Sequence, residues 1–408
     1  MWQKFSNGPV LKAFLKHNLP LVAFGLLLSY FSGFGQTFLL SLYVPDIEAF
    51  LQINNTEFGS IYAIATVGSA LTLPWIGGYF DKMKIHRYSL MVIMGLAVAL
   101  LTLSFAQHLV VVVLAFYGLR LFGQALMGHT SVSTMARYFD KNRGKAIGVA
   151  TLGHPAGEAT LPILIALLIS ILGWRLTLQL SALQILLVVA PLAWWLLNKS
   201  KTKIEAYAKD EKEKTVKRSN VKLGTIISQK KFWVIVPVVF MLGFINTAIF
   251  FFQLKLGAEK GWSPEWVAAS ISAFAIASAI GMLGSGPLVD RFTGKKLFPI
   301  FMLPYLVGLL VLVNFEHPLT YPVALAFMGL ANGSGSTVKN AMLAEMYGIQ
   351  IIGQIRSIFT TVMVLSTALG PLAFGLLLDQ NFTFNPIFIG STIAMALTIL
   401  YGFRLRKI

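Results

Sequence analysis

Apolar blocks of about 20 residues recur along the whole of this 408-residue chain, and that recurrence constrains the fold more than any other feature. An α-helix rising 1.5 Å per residue needs about 20 residues to cross a hydrocarbon layer of roughly 30 Å. Lipid cannot hydrogen-bond exposed backbone groups, so only helices and closed barrels span it. The blocks are continuous and lack the alternation of barrel strands. An all-α membrane protein with twelve transmembrane helices follows. Spans are expected near 18–43, 57–78, 88–107, 109–136, 145–171 and 174–197, then near 232–255, 264–289, 297–315, 319–346, 353–379 and 383–403. The first block is too long for a signal-peptide core and no small-residue cleavage site follows it, so it reads as an uncleaved span.

Only 12% of the residues are charged against 56% hydrophobic, too little charge to cover a soluble protein of this length. The net charge of +17 would suggest nucleic acid in a soluble domain; here it is assigned to loops, and no nucleic-acid partner is expected. Lys4, Lys12 and Lys16 precede span 1, and Lys82, Lys84 and Arg87 follow span 2. Arg137, Lys141, Arg143 and Lys145 join spans 4 and 5; Arg291, Lys295 and Lys296 join spans 8 and 9; Arg404, Arg406 and Lys407 end the sequence. The opposite loops carry Asp46, Glu48, Glu57, Glu316, His317 and Asp379, with Arg175, Lys255 and Lys260 as exceptions. The positive-inside bias puts both termini in the cytoplasm, for a multi-pass protein of the cell inner membrane. With no cysteine, disulfides and Cys-based metal sites are excluded.

The two halves of the sequence match at an offset of 209–211 residues. Gly33-Phe34-Gly35-Gln36-Thr37 returns as Gly243-Phe244-Ile245-Asn246-Thr247. Gly77 and Asp81 return as Gly286 and Asp290, Phe116 and Gly118 as Phe327 and Gly329, and Pro162 as Pro371. Two pseudo-symmetric six-helix bundles are expected, over 1–198 and 232–408, joined by a Lys-rich solvated linker at 199–231 that includes Glu205, Asp210, Glu211 and Glu213. Such a duplication suits two bundles rocking about a site near the midplane.

Gly77-Gly78-Tyr79-Phe80-Asp81-Lys82 followed by Arg87 resembles the loop signature of the major facilitator superfamily, and Gly286 to Lys295 resembles its second copy. The resemblance covers essentially the whole chain. It implies a twelve-helix secondary transporter in which Asp81, Arg87, Asp290 and Arg291 gate the cytoplasmic face; a static loop salt bridge is the alternative. Tyr117 to Gln124 resembles the span-4 motif of proton-coupled members, with Gln and Gly exchanged. Gly153-His154-Pro155-Ala156-Gly157-Glu158 partly resembles an antiporter motif but lacks its Gly-Pro pair. Met135 to Gly148 resembles a loop of bacterial monocarboxylate and oxalate/formate carriers, although no embedded base stands on spans 7 and 8.

Charges buried in spans usually face the bundle interior or an aqueous cavity. Arg120 lies roughly 16 Å into span 4, and Glu158 roughly 20 Å from the outer end of span 5, by helix rise. Their antiparallel spans bring them together in this reading, as a structural ion pair or as a site. In the second case Arg120 receives a substrate carboxylate, for which its planar fork is suited, and Glu158 binds the coupling proton with His154 one turn away. Gln124, Met127 and Ser131 follow Arg120 on one helical face, with His129 on the other. Gln36, Asn246 and Asn332 are further cavity candidates because spans 1, 4, 7 and 10 line the pathway in the resembled fold. Gln253, Thr360, Thr361 and Thr367 are softer ones. Lys339, roughly 30 Å into span 10, reads as a snorkelling or gate cation. Phe250, Phe251 and Phe252 read as lipid contacts, with gating of the outer pathway as the alternative.

The expected function is proton-coupled transport of a small organic anion, such as a monocarboxylate, by a monomer in contact with membrane lipids. The alternatives are a drug-efflux antiporter, a sugar or polyol carrier and, from another class, a non-transporting sensor. No cofactor is expected, and no nucleotide loop, metal cluster or nucleophile elbow points to an enzyme.

Overall fold

The computed structural model describes residues 8–139, 142–210, 223–348 and 351–407, with backbone alone at 8–17, 207–210, 223 and 407. Of the charges used above, Lys4, Lys141, Glu211 and Glu213 lie outside the described residues, as do the side chains of Lys12, Lys16, Asp210 and Lys407. The described chain is helical almost throughout. Its spans are α1 (Gly8–Phe31), α2 (Asn55–Lys82), α3 (Ile85–Ser104) and α4 (Leu109–Tyr138), then α5 and α6 within Arg143–Lys199. The second set is α7 (Lys230–Phe251), α8 (Pro264–Phe292), α9 (Leu303–Asn314), α10 (Thr320–Tyr347), α11 (Ile352–Asp379) and α12 (Phe384–Gly402).

Among the described residues, nine stretches are long and apolar enough to cross a membrane on that count alone. Arg143–Lys199 is one of them but holds two spans, turned at Gly173, whose φ of 74° and ψ of 163° favour glycine. The others needed to complete twelve are short α9 and α10, whose Gly/Ser-rich middle lowers its hydropathy. That middle has a packing reason. A Cβ at Gly329 or Gly333 would stand 2.2 Å from the Phe274 carbonyl oxygen and 1.8 Å from that of Ser278, so small residues let α10 lie directly on α8.

The six-plus-six arrangement leaves one seam between bundles. Most of the hydrogen bonds and ion pairs that cross it among the described residues gather on the side away from the chain termini; within the spans, Ser272 on α8 donates to the Ala159 carbonyl on α5 at 2.7 Å. Asp379, ending α11, receives the start of α2: Asn55 N–H (3.2 Å) and Nδ2 (2.6 Å) on Oδ1, Thr56 N–H (2.8 Å) and Oγ1 (2.5 Å) on Oδ2. A carboxylate suits a helix N-terminus because it meets unpaired N–H groups and the positive end of the dipole. Lys255 pairs with Glu48 at 2.5 Å and also donates to Asn55 Oδ1. Burial pushes the Glu48 carboxyl up, and the Lys255 ammonium draws it back down. Buried Gln253 donates to the Phe38 carbonyl (3.0 Å) and the Ser41 hydroxyl (2.7 Å), and accepts from Tyr321.

Beneath this polar lid, Phe251 packs on Phe58 and Tyr62, with ring centroids 5.6 and 4.9 Å away. Phe250, Phe251 and Phe252 are all buried, so the expected lipid contact is replaced by a role in closure. Gly59 and Gly375 allow α2 and α11 to touch backbone to backbone.

Hydrogen bonds to a charged partner contribute about 1.5–3 kcal/mol each, and about 1.4 kcal/mol is tenfold in an equilibrium. Asp379→Ala should therefore raise opening of this side by about tenfold or more. The native chain has no cysteine, so a single Thr247→Cys in the cavity beneath the lid reports it cleanly. Labelling by an impermeant maleimide added to the lid side should rise; unchanged labelling would show that the seal does not depend on Asp379.

Candidate functional site

Below the lid a cavity of about 430 Å³ lies between the bundles. Gln36, Thr37, Gln124, His154 and Glu158 line it from the first half; Asn246, Thr247, Asn332, Ser336, Lys339 and Thr367 line it from the second. A second space of about 360 Å³ shares Gln36, Gln124, His154, Glu158, Asn332 and Ser336 and extends along Ser29, Gly128, Thr151 and Met282.

Gln36 reaches the cavity because α1 breaks. Ser32–Gly35 forms a tight 3₁₀ turn, Gln36 is extended (φ −86°, ψ 150°), and a short helix resumes at Thr37–Leu40. Gly35 is pressed on α4, where an added Cβ would stand 2.2 Å from the Leu119 carbonyl oxygen and 2.3 Å from the Gln124 nitrogen. On its side, α4 widens into a π-helical stretch at Leu119–Met127, a geometry frequent at functional sites.

The widened stretch also divides the polar face expected on α4. Gln124 lines the cavity, whereas Arg120, Met127 and Ser131 are buried against neighbouring helices. Ser131 donates to the Gly25 carbonyl at 2.7 Å. Arg120 is 2% exposed, donates to the Gly35 carbonyl (3.3 Å) and lies 4.9 Å from the Tyr62 ring centroid. Its Nε has no partner, it forms no ion pair with Glu158, and it is absent from the cavity wall. The expected meeting of Arg120 and Glu158 is thus corrected. The guanidinium is directed to the backbone of the α1 break and the face of Tyr62, which stabilise it by hydrogen bonding and cation–π attraction.

Glu158 and His154 do share the wall, and the glycines that precede each of them explain how. Gly153 and Gly157 bring α5 onto α1, with an added Cβ 2.2 Å from the Leu26 carbonyl oxygen and 2.6 Å from that of Tyr30. This contact turns His154 and Glu158 toward the cavity. Pro155 falls in the first turn after an interruption at Leu152, where its missing N–H costs no helical bond. Glu158 makes no hydrogen bond or ion pair with a described residue, and the His154 ring lies 6.2 Å from that of Phe38. His129 faces away, against Phe80 and Ser133.

Across the cavity, Asn246 Oδ1 accepts from Tyr305 at 3.5 Å, and Asn332 is exposed to the open space. Lys339, expected as a snorkelling or gate cation, is also on this wall. Gln253 is instead part of the lid. Thr361 bonds its own helix, to Ser357.

The signature loops differ between halves. Asp81 pairs with Arg137, which also donates to the Phe80 carbonyl and covers the Phe80 ring. Arg87 is exposed, and Asp290 and Arg291 are exposed with no ion pair to a described residue. In the second half Glu345 takes the acid's place, accepting the Gly294 and Lys295 N–H groups at 2.7 and 2.9 Å. The three basic exceptions on the lid side are all engaged. Lys255 and Lys260 pair with Glu48 and Glu316, and Arg175 donates to the Ala106 carbonyl and covers Phe50. That departure from charge asymmetry was the available signal for Lys255; Asp379 offered none.

The sequence model of the Major Facilitator Superfamily matches residues 25–283 and 251–408. No curated protein matches the sequence. Among solved structures, a bacterial homologue of the human lysosomal transporter Spinster, inward-facing and occupied, is similar with a TM-score of 0.70 at 14% identity, over 94% of this chain and 96% of that one. The nucleoside transporter NupG is similar with a TM-score of 0.70 at 11% identity, over 96% and 99%. The same Spinster homologue, inward-facing and unoccupied, gives 0.66 at 15%, over 94% of each chain. At these identities the likeness is one of fold.

The packing of α1 on α4 predicts a contrast between neighbours. Gly35→Ala forces a methyl into the α4 backbone and should lower stability by about 3 kcal/mol, the upper range for overpacking. Gln124→Ala, at the cavity wall, should leave thermal unfolding in detergent within about 0.5 kcal/mol of the parent. Equal melting temperatures for the two variants would contradict the close contact described.

Proposed function

We propose that this chain, which belongs to the major facilitator superfamily, is a proton-coupled carrier of a small organic anion, such as a monocarboxylate, working by alternating access. Membership makes it a multi-pass membrane transporter; coupling, solute and orientation are the proposal. The observation that carries it is the pair His154 and Glu158, one turn apart on α5, facing a cavity shared by both bundles without an ion partner among the described residues. A carboxyl group held in that way can take and release a proton as the cavity is exposed to one side and then the other.

Gln36, Gln124, Asn246 and Asn332 supply amide donors and acceptors around the solute. The wall opposite Glu158 carries no carboxylate among the described residues but does carry a basic side chain, which favours an anion. Arg120 is assigned to holding the α1 break, and the Asp81–Arg137 pair to latching the loop between α2 and α3, with Arg87, Asp290 and Arg291 free to engage when that face closes. The division at 199–231 separates the rocking units 1–198 and 232–408, in a monomer of the inner membrane with both termini cytoplasmic. The lid side is then the outer one, and the structure is inward-facing.

A second reading draws on Phe38, Phe250, Phe274 and Phe301 in the same wall, which with Glu158 would suit a hydrophobic cation exported against protons. Proteoliposomes carrying a pH-sensitive dye separate the two. Proton entry driven by a carboxylate, and at least tenfold slower in Glu158→Gln, is the expected result. Unaltered proton-coupled uptake in Glu158→Gln would remove the acid from the mechanism. A response to cationic drugs alone would establish the second reading.

A further inference from the structure

The ammonium of Lys339 is the charge in the cavity to which the reading above assigns no contact of its own. Asn332, Ser336 and Lys339 stand at i, i+4 and i+7 on α10, one face of the helix, and all three line the cavity. The helix is held in place beside this face: Gly333 seats α10 on α8, and Gly335, itself on the cavity wall, receives the Phe301 ring, 2.4 Å from where a Cβ would stand. Lys339 is only partly exposed, and forms no ion pair and no hydrogen bond with a described residue. The acid nearest to it in sequence, Glu345, is committed to the Gly294 and Lys295 N–H groups. Arg356 is the charged group that bears on it, and it has the same sign. Glu158 lies on the other bundle and pairs with neither Lys339 nor Arg120.

A cation in this position has water as its partner while the cavity is open. Closing the cavity removes that water, and an ammonium shut in without a counterion is strongly disfavoured. No described carboxylate pairs with it here, Glu158 across the cavity included, which leaves the counterion to the cargo. Resting on the anion reading above, we propose that Lys339 receives the oxyanion group of the transported solute, and that the cavity closes readily only when this group is present. The recognised chemistry is a carboxylate or a phosphate. Ser336 and Asn332, one and two turns farther into the cavity, are placed to hydrogen-bond the rest of the same molecule. A carrier built in this way exchanges one anion for another faster than it returns empty.

The test uses the full-length protein in detergent, with L-lactate, pyruvate, inorganic phosphate and glycerol 3-phosphate as probes and glycerol as the neutral control. At least one oxyanion should raise the unfolding temperature of the parent, while glycerol does not. The shift should vanish in Lys339→Gln and persist in Lys339→Arg. Carboxylates and phosphates are separated by which pair gives the shift. A shift retained in Lys339→Gln would overturn the assignment of Lys339, and proton-coupled carboxylate uptake in the parent would still leave the transport reading standing. A parent that responds to no oxyanion but to hydrophobic cations would overturn both. The closure argument has its own readout in membranes, through Thr247→Cys labelled from the lid side without solute. Lys339→Gln should raise that labelling at least threefold, because the empty cavity can then close and reopen on the far side. Equal labelling with and without the lysine would overturn that part of the proposal.

Discussion

The contact on which the rest of the structure depends is the carboxylate of Asp379 on the first turn of α2. It joins two helix ends from different bundles, and nearly every feature of the seam follows from that closure. Lys255 is drawn to the same corner by Glu48 and Asn55, Gln253 is buried beneath it, and Phe251 fills the space between Phe58 and Tyr62. The bundles meet there through polar groups laid over aromatic ones. That combination suits a seam that must open, because charges and amides at the surface regain water when they part. A seam of packed leucines would have no such partner to return to.

Away from the lid, each cavity group is placed by a backbone contact on its other side. Gly35 against α4 creates the extended residue Gln36; Gly153 and Gly157 against α1 direct His154 and Glu158; Gly333 against α8 fixes the helix that carries Lys339. Small residues behind and polar residues in front are one device used three times. Within a membrane it has a clear rationale, since helix association there relies on close packing rather than on expulsion of water. Arg120 belongs to the same scheme. The break in α1 leaves the Gly35 carbonyl without its helical donor, and the guanidinium supplies one from α4.

Much of this was legible in the sequence, and the limits have physical causes. The spans could be read because each must satisfy its own backbone hydrogen bonds, which fixes their length; even the turn between α5 and α6 fell between the two expected blocks, at Gly173. Gln124, His154 and Glu158 line the cavity, as their helical spacing and depth implied, and Gln36, Asn246 and Asn332 do so as the resemblance implied. Arg120 did not, because its reading assumed an unbroken α-helix. The π-helical stretch at Leu119–Met127 shifts the faces of α4, and nothing in the local composition announces it. The lid was missed for another reason: Asp379 and Asn55 are 324 residues apart, and depth along a span says nothing about partners in the other bundle.

The distribution of charge over the two halves suggests why the duplicated sequence diverged where it did. Asp81 and Arg137 hold the first half's loop by an ion pair, whereas Glu345 holds the second half's by capping backbone N–H groups, so the end of α10 carries an acid where α4 carries a base. Within the cavity the asymmetry is reversed. The acid Glu158 is on the first bundle, and the base Lys339 on the second. Placed on one bundle, the two could neutralise each other permanently and neither would respond to the contents of the cavity. Placed on opposite bundles and unpaired, each remains open to a partner from solution, which the proposal takes to be a proton for one and an anion for the other. In the proposed reading the free energy of closing the cavity depends on both, and that dependence would couple two solutes in one carrier.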